Sequence, residues 1–318
     1  MVERVRTLPG IAIPPTGPTP SGTLARVGAW PTLRGLVLAT RPRQWTKNLL
    51  VLAAPAAAGI ATQPVVLARM SLALTAFCAA AAATYLVNDL ADRDEDRLHP
   101  AKRTRPLAAG LVSPLLAAIS AVALALAGLT VALATSPRFA VALASYLAVT
   151  TSYSLGLRRV AVVELGMVAS GFVIRVIAGG LATGVPISQW LLIVVSFGAL
   201  FVVAGKRHGD LAVLGGDPGR ARAALSAYTA GYLRFVVTLA AAVMLIAYCL
   251  WAFTVGVRHG VLAELSVLPL TLGVLRYGLL LESGAGGAPE EILLRDHALL
   301  VLSLMWAAVY GLGIYLGT

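Results

Sequence analysis

The chain has 318 residues, 58% of them hydrophobic and only 12% charged, with a mean hydropathy of +0.85. That composition leaves too little polar surface for a soluble domain and excludes that class. Net charge is +11, but the basic residues are confined to the gaps between apolar segments. This argues against a nucleic-acid partner and for anionic headgroups or anionic substrates. The two cysteines, Cys78 and Cys249, lie inside apolar segments and show neither a disulfide framework nor a zinc spacing.

Residues 1–34 are rich in Pro, Gly and Thr and contain no apolar core of signal-peptide length. They are expected to form a flexible cytoplasmic tail, trailing into a short interfacial helix near 33–40. Residues 35–318 are expected to form one transmembrane helical domain. Apolar windows of span length predict nine membrane helices at roughly 48–61, 67–88, 114–134, 139–156, 160–182, 188–205, 231–256, 260–281 and 293–316. The fold class is therefore all-α integral membrane. Lys and Arg gather before the first helix and in every second loop, whereas the alternate loops offer little beyond Arg69, Arg138 and Arg258. The positive-inside rule then places the N-terminus and the charged loops in the cytoplasm, in the inner (plasma) membrane.

The second helix ends in Asn-Asp-Leu-Ala-Asp-Arg-Asp-Glu-Asp, residues 88–96. Carboxylates at the edge of a bilayer are costly and mark functional sites. If the helix continues, Asp89, Asp92 and Asp96 fall at i, i+3 and i+7 on one face. Like charges on one face repel, and a divalent cation is the simplest agent to hold them. Oxygen ligands suit Mg²⁺ or Ca²⁺, and Mg²⁺ commonly takes one or two carboxylates plus substrate phosphates. A solvated acidic loop is the bland alternative; the apolar flank favours the metal.

Three basic groups accompany the acids: residues 41–48 (Arg-Pro-Arg-Gln-Trp-Thr-Lys-Asn), residues 102–105 with Lys102, Arg103 and Arg105, and Lys206-Arg207-His208. Topogenic charge alone would explain each of them. Glu164 and Arg175 are more telling, since both sit in the fifth helix among apolar neighbours. Eleven residues is about three turns, so they share a face but are too far apart to pair. Each must meet another helix, water or a ligand. The four histidines show no metal spacing, and no glycine-rich phosphate loop or hydrolase triad is present. Acids with a cation, ringed by Lys and Arg at a membrane surface, describe a diphosphate site with lipid access.

The pattern Asn88-Asp89-x-x-Asp92-x-x-x-Asp96 resembles the first aspartate-rich motif of the UbiA superfamily of intramembrane transferases. The strings at 41–48, 88–110, 153–156, 175–180, 188–190 and 228–235 resemble, more narrowly, the actinobacterial decaprenyl-phosphate phosphoribosyltransferase family. Two features depart from the superfamily pattern. A basic Gly205-Lys206-Arg207-His208 stands where prenyltransferases carry a second Asp-rich motif, and Glu164 stands where an Asp is expected.

The resemblance implies a nine-helix bundle around a cavity open to the cytoplasm, with homotrimers possible. It also implies transfer of 5-phosphoribosyl from phosphoribosyl diphosphate to a polyprenyl phosphate, with Mg²⁺ as cofactor. Asn88, Asp89, Asp92 and Asp96 would hold the metal and the diphosphate, and Asp89, Asp92 and Lys47 would form the catalytic set. Gln44, Asn48, Lys102, Arg103, Arg105, Tyr153, Glu164, Arg175, Lys206 and Arg207 would contact the substrates. One alternative is a UbiA-type enzyme with a prenyl diphosphate donor, which predicts a second acid cluster near Lys206. The other is a lipid transporter, which predicts midplane charges in matched halves.

Overall fold

The computed structural model describes residues 29–100, 102–213, 225–259, 261–283 and 289–316. Most of the expected tail, residues 1–28, lies outside the described residues. Every regular element among those described is helical. Helix α1 (Ala29–Ala39) begins before the expected interfacial segment. A 3₁₀ stretch, Pro42–Leu52, leads into the short α2 (Ala53–Ala57). The long α3 (Pro64–Ala91) and α4 (Arg93–Leu98) follow, then α5 (Pro114–Thr135) and α6 (Pro137–Leu155). Next come α7 (Val163–Thr183), α8 (Gln189–Val213) and α9 (Ala230–His259). The chain closes with α10 (Val261–Leu265), α11 (Val267–Glu282), α12 (Pro289–Arg295) and α13 (His297–Leu316).

Among the described residues, seven stretches are long and apolar enough to cross a membrane: α3, α5, α7, α8, α9, α10 with α11, and α13. The two remaining expected spans differ in kind. Residues 48–61 are 3₁₀ helix and one short α-helix, and α6 carries a more polar sequence with Ser145, Thr150, Thr151 and Ser154. Proline explains several departures. Pro55 has no N–H to offer the Val51 carbonyl one turn back, and Pro269 likewise leaves Leu265 unmatched where α10 gives way to α11. The last expected span is split at Asp296. Its Oδ1 accepts from the Leu299 N–H at 2.8 Å and caps α13. Arg276, bonded to the same carboxylate, holds its pKa down at about 2.

Helix α3 is the axis of the N-terminal half. Its alanine-rich face (Ala73, Ala76, Ala80) packs with Phe77 against Phe139, Leu143 and Tyr146 of α6 and Ala178 and Ala182 of α7. Small residues let backbones approach where lipid supplies no hydrophobic drive. A Cβ on Gly128 of α5 would lie 2.9 Å from the Ala76 carbonyl oxygen of α3. A second cluster joins Phe201 of α8, Ala240 of α9, Tyr277 and Leu281 of α11, and Leu299 of α13.

The 3₁₀ stretch is docked on α7 through a close backbone approach at Gly179. A Cβ on Gly179 would lie 1.8 Å from the Val51 carbonyl oxygen, the one that Pro55 leaves free. Gly179→Leu should therefore displace residues 42–52 from the bundle. Overpacking at a backbone contact predicts a loss of about 3 kcal/mol or more, read as a lowered melting temperature in detergent. A wild-type melting temperature would contradict this packing.

Candidate active site

The acidic run does continue as helix. Asp92 has helical dihedrals (φ −94°, ψ −2°) where α3 passes into α4. The Asp92 N–H donates to the Asn88 carbonyl at 2.9 Å, and the Asp96 N–H to the Asp92 carbonyl at 2.8 Å. Asp89, Asp92 and Asp96 then share one face and are 2%, 3% and 2% exposed. On the other face, Asp94 and Glu95 are solvated. The spacing thus separates three buried carboxylates from two surface ones.

Each buried acid meets a guanidinium from another segment. Asp89 contacts Arg41, at the end of α1, and lies 3.5 Å from Arg105. Asp96 accepts from Arg105 at 2.6 Å, with Lys102 at 3.9 Å. Asp92 contacts Arg158, in the turn after α6, and accepts from Asn88 Nδ2 at 3.2 Å. Ser154 of α6 donates to Asn88 Oδ1 at 3.4 Å. Charges taken from water at this depth are tolerable only when paired this closely.

A fourth pair lies on the adjoining helices. Arg207 of α8 grips Glu164 of α7 through Nε at 2.9 Å and Nη2 at 2.8 Å, a bidentate fork. The Tyr153 hydroxyl accepts from Arg207 at 3.4 Å, and Asp210 lies 3.3 Å away. Lys206, Arg207 and Asp210 sit on the last turns of α8, which ends eight residues beyond the expected end of that span. Nothing at Gly205 breaks the helix; its missing side chain admits Leu281, whose Cδ1 would lie 2.8 Å from a Cβ there.

Two non-glycine residues among those described have positive φ, and both flank this constellation: Arg41 (52°) and Val162 (68°). Each costs about 1–3 kcal/mol, and such strain persists where the surroundings impose it. Arg41 turns the chain between α1 and the 3₁₀ stretch and lies 5.2 Å from the Tyr85 ring centroid. Val162 precedes α7, and its N–H donates to the Tyr228 hydroxyl at 2.6 Å. Burial raises the pKa of the Tyr228 phenol.

Not every expected residue faces the acids. Arg175 is 6% exposed and Asn48 is fully buried. Arg175 donates to Asn48 Oδ1 at 2.9 Å, to the Tyr146 hydroxyl at 2.9 Å and to the Gly171 carbonyl at 2.8 Å. Phe77, Tyr146 and Phe172 present their rings to it. Both residues were expected at the substrate. Here they hold the 3₁₀ stretch against α6 and α7, and with it Arg41, Gln44 and Lys47. Gln44 and Lys47 are half-buried, and Arg103 is exposed without a charged partner among the described residues. Arg41 and Arg158 are the additions: the sequence reading assigned them only to a motif string and to topogenic charge.

Among the described residues, no three or more His, Cys, Asp or Glu side chains gather tightly enough to cage an ion alone. The expected metal set divides into two pairs, Asp89 with Asp96 and Asn88 with Asp92. The first pair converges on a single Arg105 nitrogen. A cation already sits between two carboxylate oxygens there, so the donor set fits Mg²⁺ that completes its shell with phosphate and water oxygens.

The UbiA prenyltransferase family model matches residues 29–300. Curated decaprenyl-phosphate phosphoribosyltransferases are similar along most of the chain. The protein from Mycobacterium tuberculosis is 45% identical over 287 residues, 89% of this chain and 95% of the relative. That from Corynebacterium glutamicum is 40% identical over 293 residues, 89% of this chain and 87% of the relative. Among solved structures, a UbiA homologue from Archaeoglobus fulgidus bound to DMAPP and Mg²⁺ superposes with a TM-score of 0.67. It is 20% identical, with 88% of this chain and 99% of that one covered. The chain belongs to the UbiA prenyltransferase family.

The Arg207–Glu164 fork gives a direct test of the geometry. Arg207→Ala and Glu164→Ala should each cost about 3 kcal/mol of stability, because each strands a buried charge. The double variant should cost clearly less than the sum. Additive losses in melting would contradict the pairing.

Proposed function

We propose that this UbiA-family chain moves 5-phosphoribosyl from phosphoribosyl diphosphate to decaprenyl phosphate, releasing diphosphate and supplying precursors of cell-wall arabinan. The observation that carries the reading is the 40–45% identity to enzymes of that activity across nearly the whole chain. The basic end of α8 supports it. Lys206 and Arg207 stand where the prenyl-donor alternative predicts more acid, and the described acids nearby, Asp210 and Glu164, are both held by Arg207. Asp217 lies outside the described residues.

The chemistry needs charge balance more than acid–base catalysis. The bond from ribose C1 to the diphosphate oxygen breaks, and a bond from C1 to an acceptor phosphate oxygen forms. The acceptor is already an anion, so no proton has to be removed, and attack opposite the leaving group inverts C1. Asp89 and Asp96, with Asn88 and Asp92, would hold Mg²⁺. When bound, that ion neutralises the departing diphosphate. Arg41, Arg105 and Arg158, now on the carboxylates, are placed to turn to phosphate oxygens as the donor enters. Lys102 and Arg103 extend the same basic rim. Lys47 is assigned to the acceptor phosphate, Arg207 and Tyr153 to the far side of the donor. Fixed positive charge of this kind stabilises the charge that develops on the leaving group. Arg175 and Asn48 act as positioning residues for Lys47 and Arg41.

The same reading places nine crossings in the membrane, with residues 42–57 and α6 completing the seven apolar spans. The excess of Lys and Arg near the acidic run puts that end, and the N-terminus, in the cytoplasm of a plasma-membrane protein. Assembly as a homotrimer rests on the family resemblance.

Purified protein given phosphoribosyl diphosphate, decaprenyl phosphate and Mg²⁺ should form lipid-linked phosphoribose. No such product would remove the assignment, and product from a prenyl diphosphate instead would replace it. Asp89→Asn and Asp92→Asn should each lower turnover about 100-fold or more while folded protein remains in the membrane. Wild-type turnover in either variant would refute the role given to the acids. Lys206→Ala should raise a substrate KM; unchanged kinetics would leave Lys206 with a topogenic role alone.

A further inference from the structure

We infer that the end of the bundle opposite the acidic run binds the phosphate of an anionic glycerophospholipid between Arg69 and Arg138. These are two of the three cations, with Arg258, that break the charge asymmetry of the loops. They come together on one cavity of about 780 Å³, bounded by the start of α3, the α5–α6 turn and the loop after α7. Twenty residues of α3 separate Arg69 from Asp89, about 30 Å, which is one hydrocarbon thickness. The cavity is thus at the other membrane surface and does not belong to the site described above.

Its lining contains Arg69, Arg138, Thr135 and Ser136 but no Asp or Glu. Neither arginine makes an ion pair or hydrogen bond among the described residues. Two positive charges therefore share a concavity that supplies no counter-charge. Ser136 is the N-cap of α6, yet its side chain makes no capping bond, so the hydroxyl is available together with the positive end of that helix.

The opposite wall is preformed. The Val185 N–H donates to the Gly180 carbonyl at 2.9 Å. Gly184 has φ +77°, and a Cβ there would lie 3.8 Å from Arg69 Nη1. On the outer face, the same helices expose Val65, Leu133 and Val141. That is apolar surface for acyl chains beside a cationic niche for a headgroup, a combination that suits a lipid better than a free ion.

Native mass spectrometry of the full chain, delipidated and given equimolar phosphatidylglycerol and phosphatidylcholine, tests the inference. The wild type should retain phosphatidylglycerol preferentially. An Arg69→Gln/Arg138→Gln variant should lose that preference by about tenfold, as expected for two charge-assisted contacts. Ser136→Ala should weaken it less. Equal retention of the two lipids by the wild type, or an undiminished preference in the double variant, would overturn the site. Displacement of the lipid by glycerol 3-phosphate at equal concentration would overturn the lipid assignment, because the headgroup alone would then be sufficient.

Discussion

Four buried carboxylates matched by four guanidiniums from different segments organise this end of the molecule. Asp89, Asp92 and Asp96 lie within about two turns of helix, and Glu164 lies in the first turn of α7. Arg41, Arg105, Arg158 and Arg207 come from the α1 turn, the loop before α5, the turn after α6 and the end of α8. No segment neutralises its own acids here. Folding α3 into an apolar bundle is tolerable only if the others arrive, because an unpaired charge at that depth is costly. In the proposed function the array would exchange partners: a metal diphosphate would offer a cation to the carboxylates and anions to the guanidiniums.

Close backbone packing elsewhere sets the geometry of that array. The 3₁₀ stretch that follows Arg41 is fixed by the Gly179 contact and by Arg175 reaching Asn48 across 127 residues of sequence. Among the described residues, Arg175 is surrounded by neutral oxygens and aromatic faces. Its hydrogen bonds join α6 and α7 to the segment bearing Lys47. The strained backbone at Arg41 and Val162 lies at the two points where this coupling enters the site.

Much of this was legible in the residues. The i, i+3, i+7 spacing put three acids on one face, and the structure buries those three while solvating Asp94 and Glu95. The apolar windows located the long helices to within a few residues, apart from the end of α8. What escaped was three-dimensional pairing. Arg41 and Arg158 look like ordinary topogenic charge until the fold carries them to Asp89 and Asp92. Glu164 and Arg175 share a helix face, but nothing in one strand of sequence says that the first meets Arg207 and the second meets Asn48. The end of α8 was missed because Gly205 reads as a stop. It is instead a small residue where α11 comes close. The side chains of Glu290 and Glu291 lie outside the described residues, and Asp296 caps α13.

The central claim is that carboxylates and guanidiniums exchange partners around a magnesium-bound diphosphate. Calorimetric binding of phosphoribosyl diphosphate to the purified protein, with and without Mg²⁺, tests it most directly. Mg²⁺ should tighten binding by about tenfold or more in the wild type, equivalent to about 1.4 kcal/mol, and should have little effect in Asp89→Asn. Binding of the same strength with and without Mg²⁺ in the wild type would contradict the account.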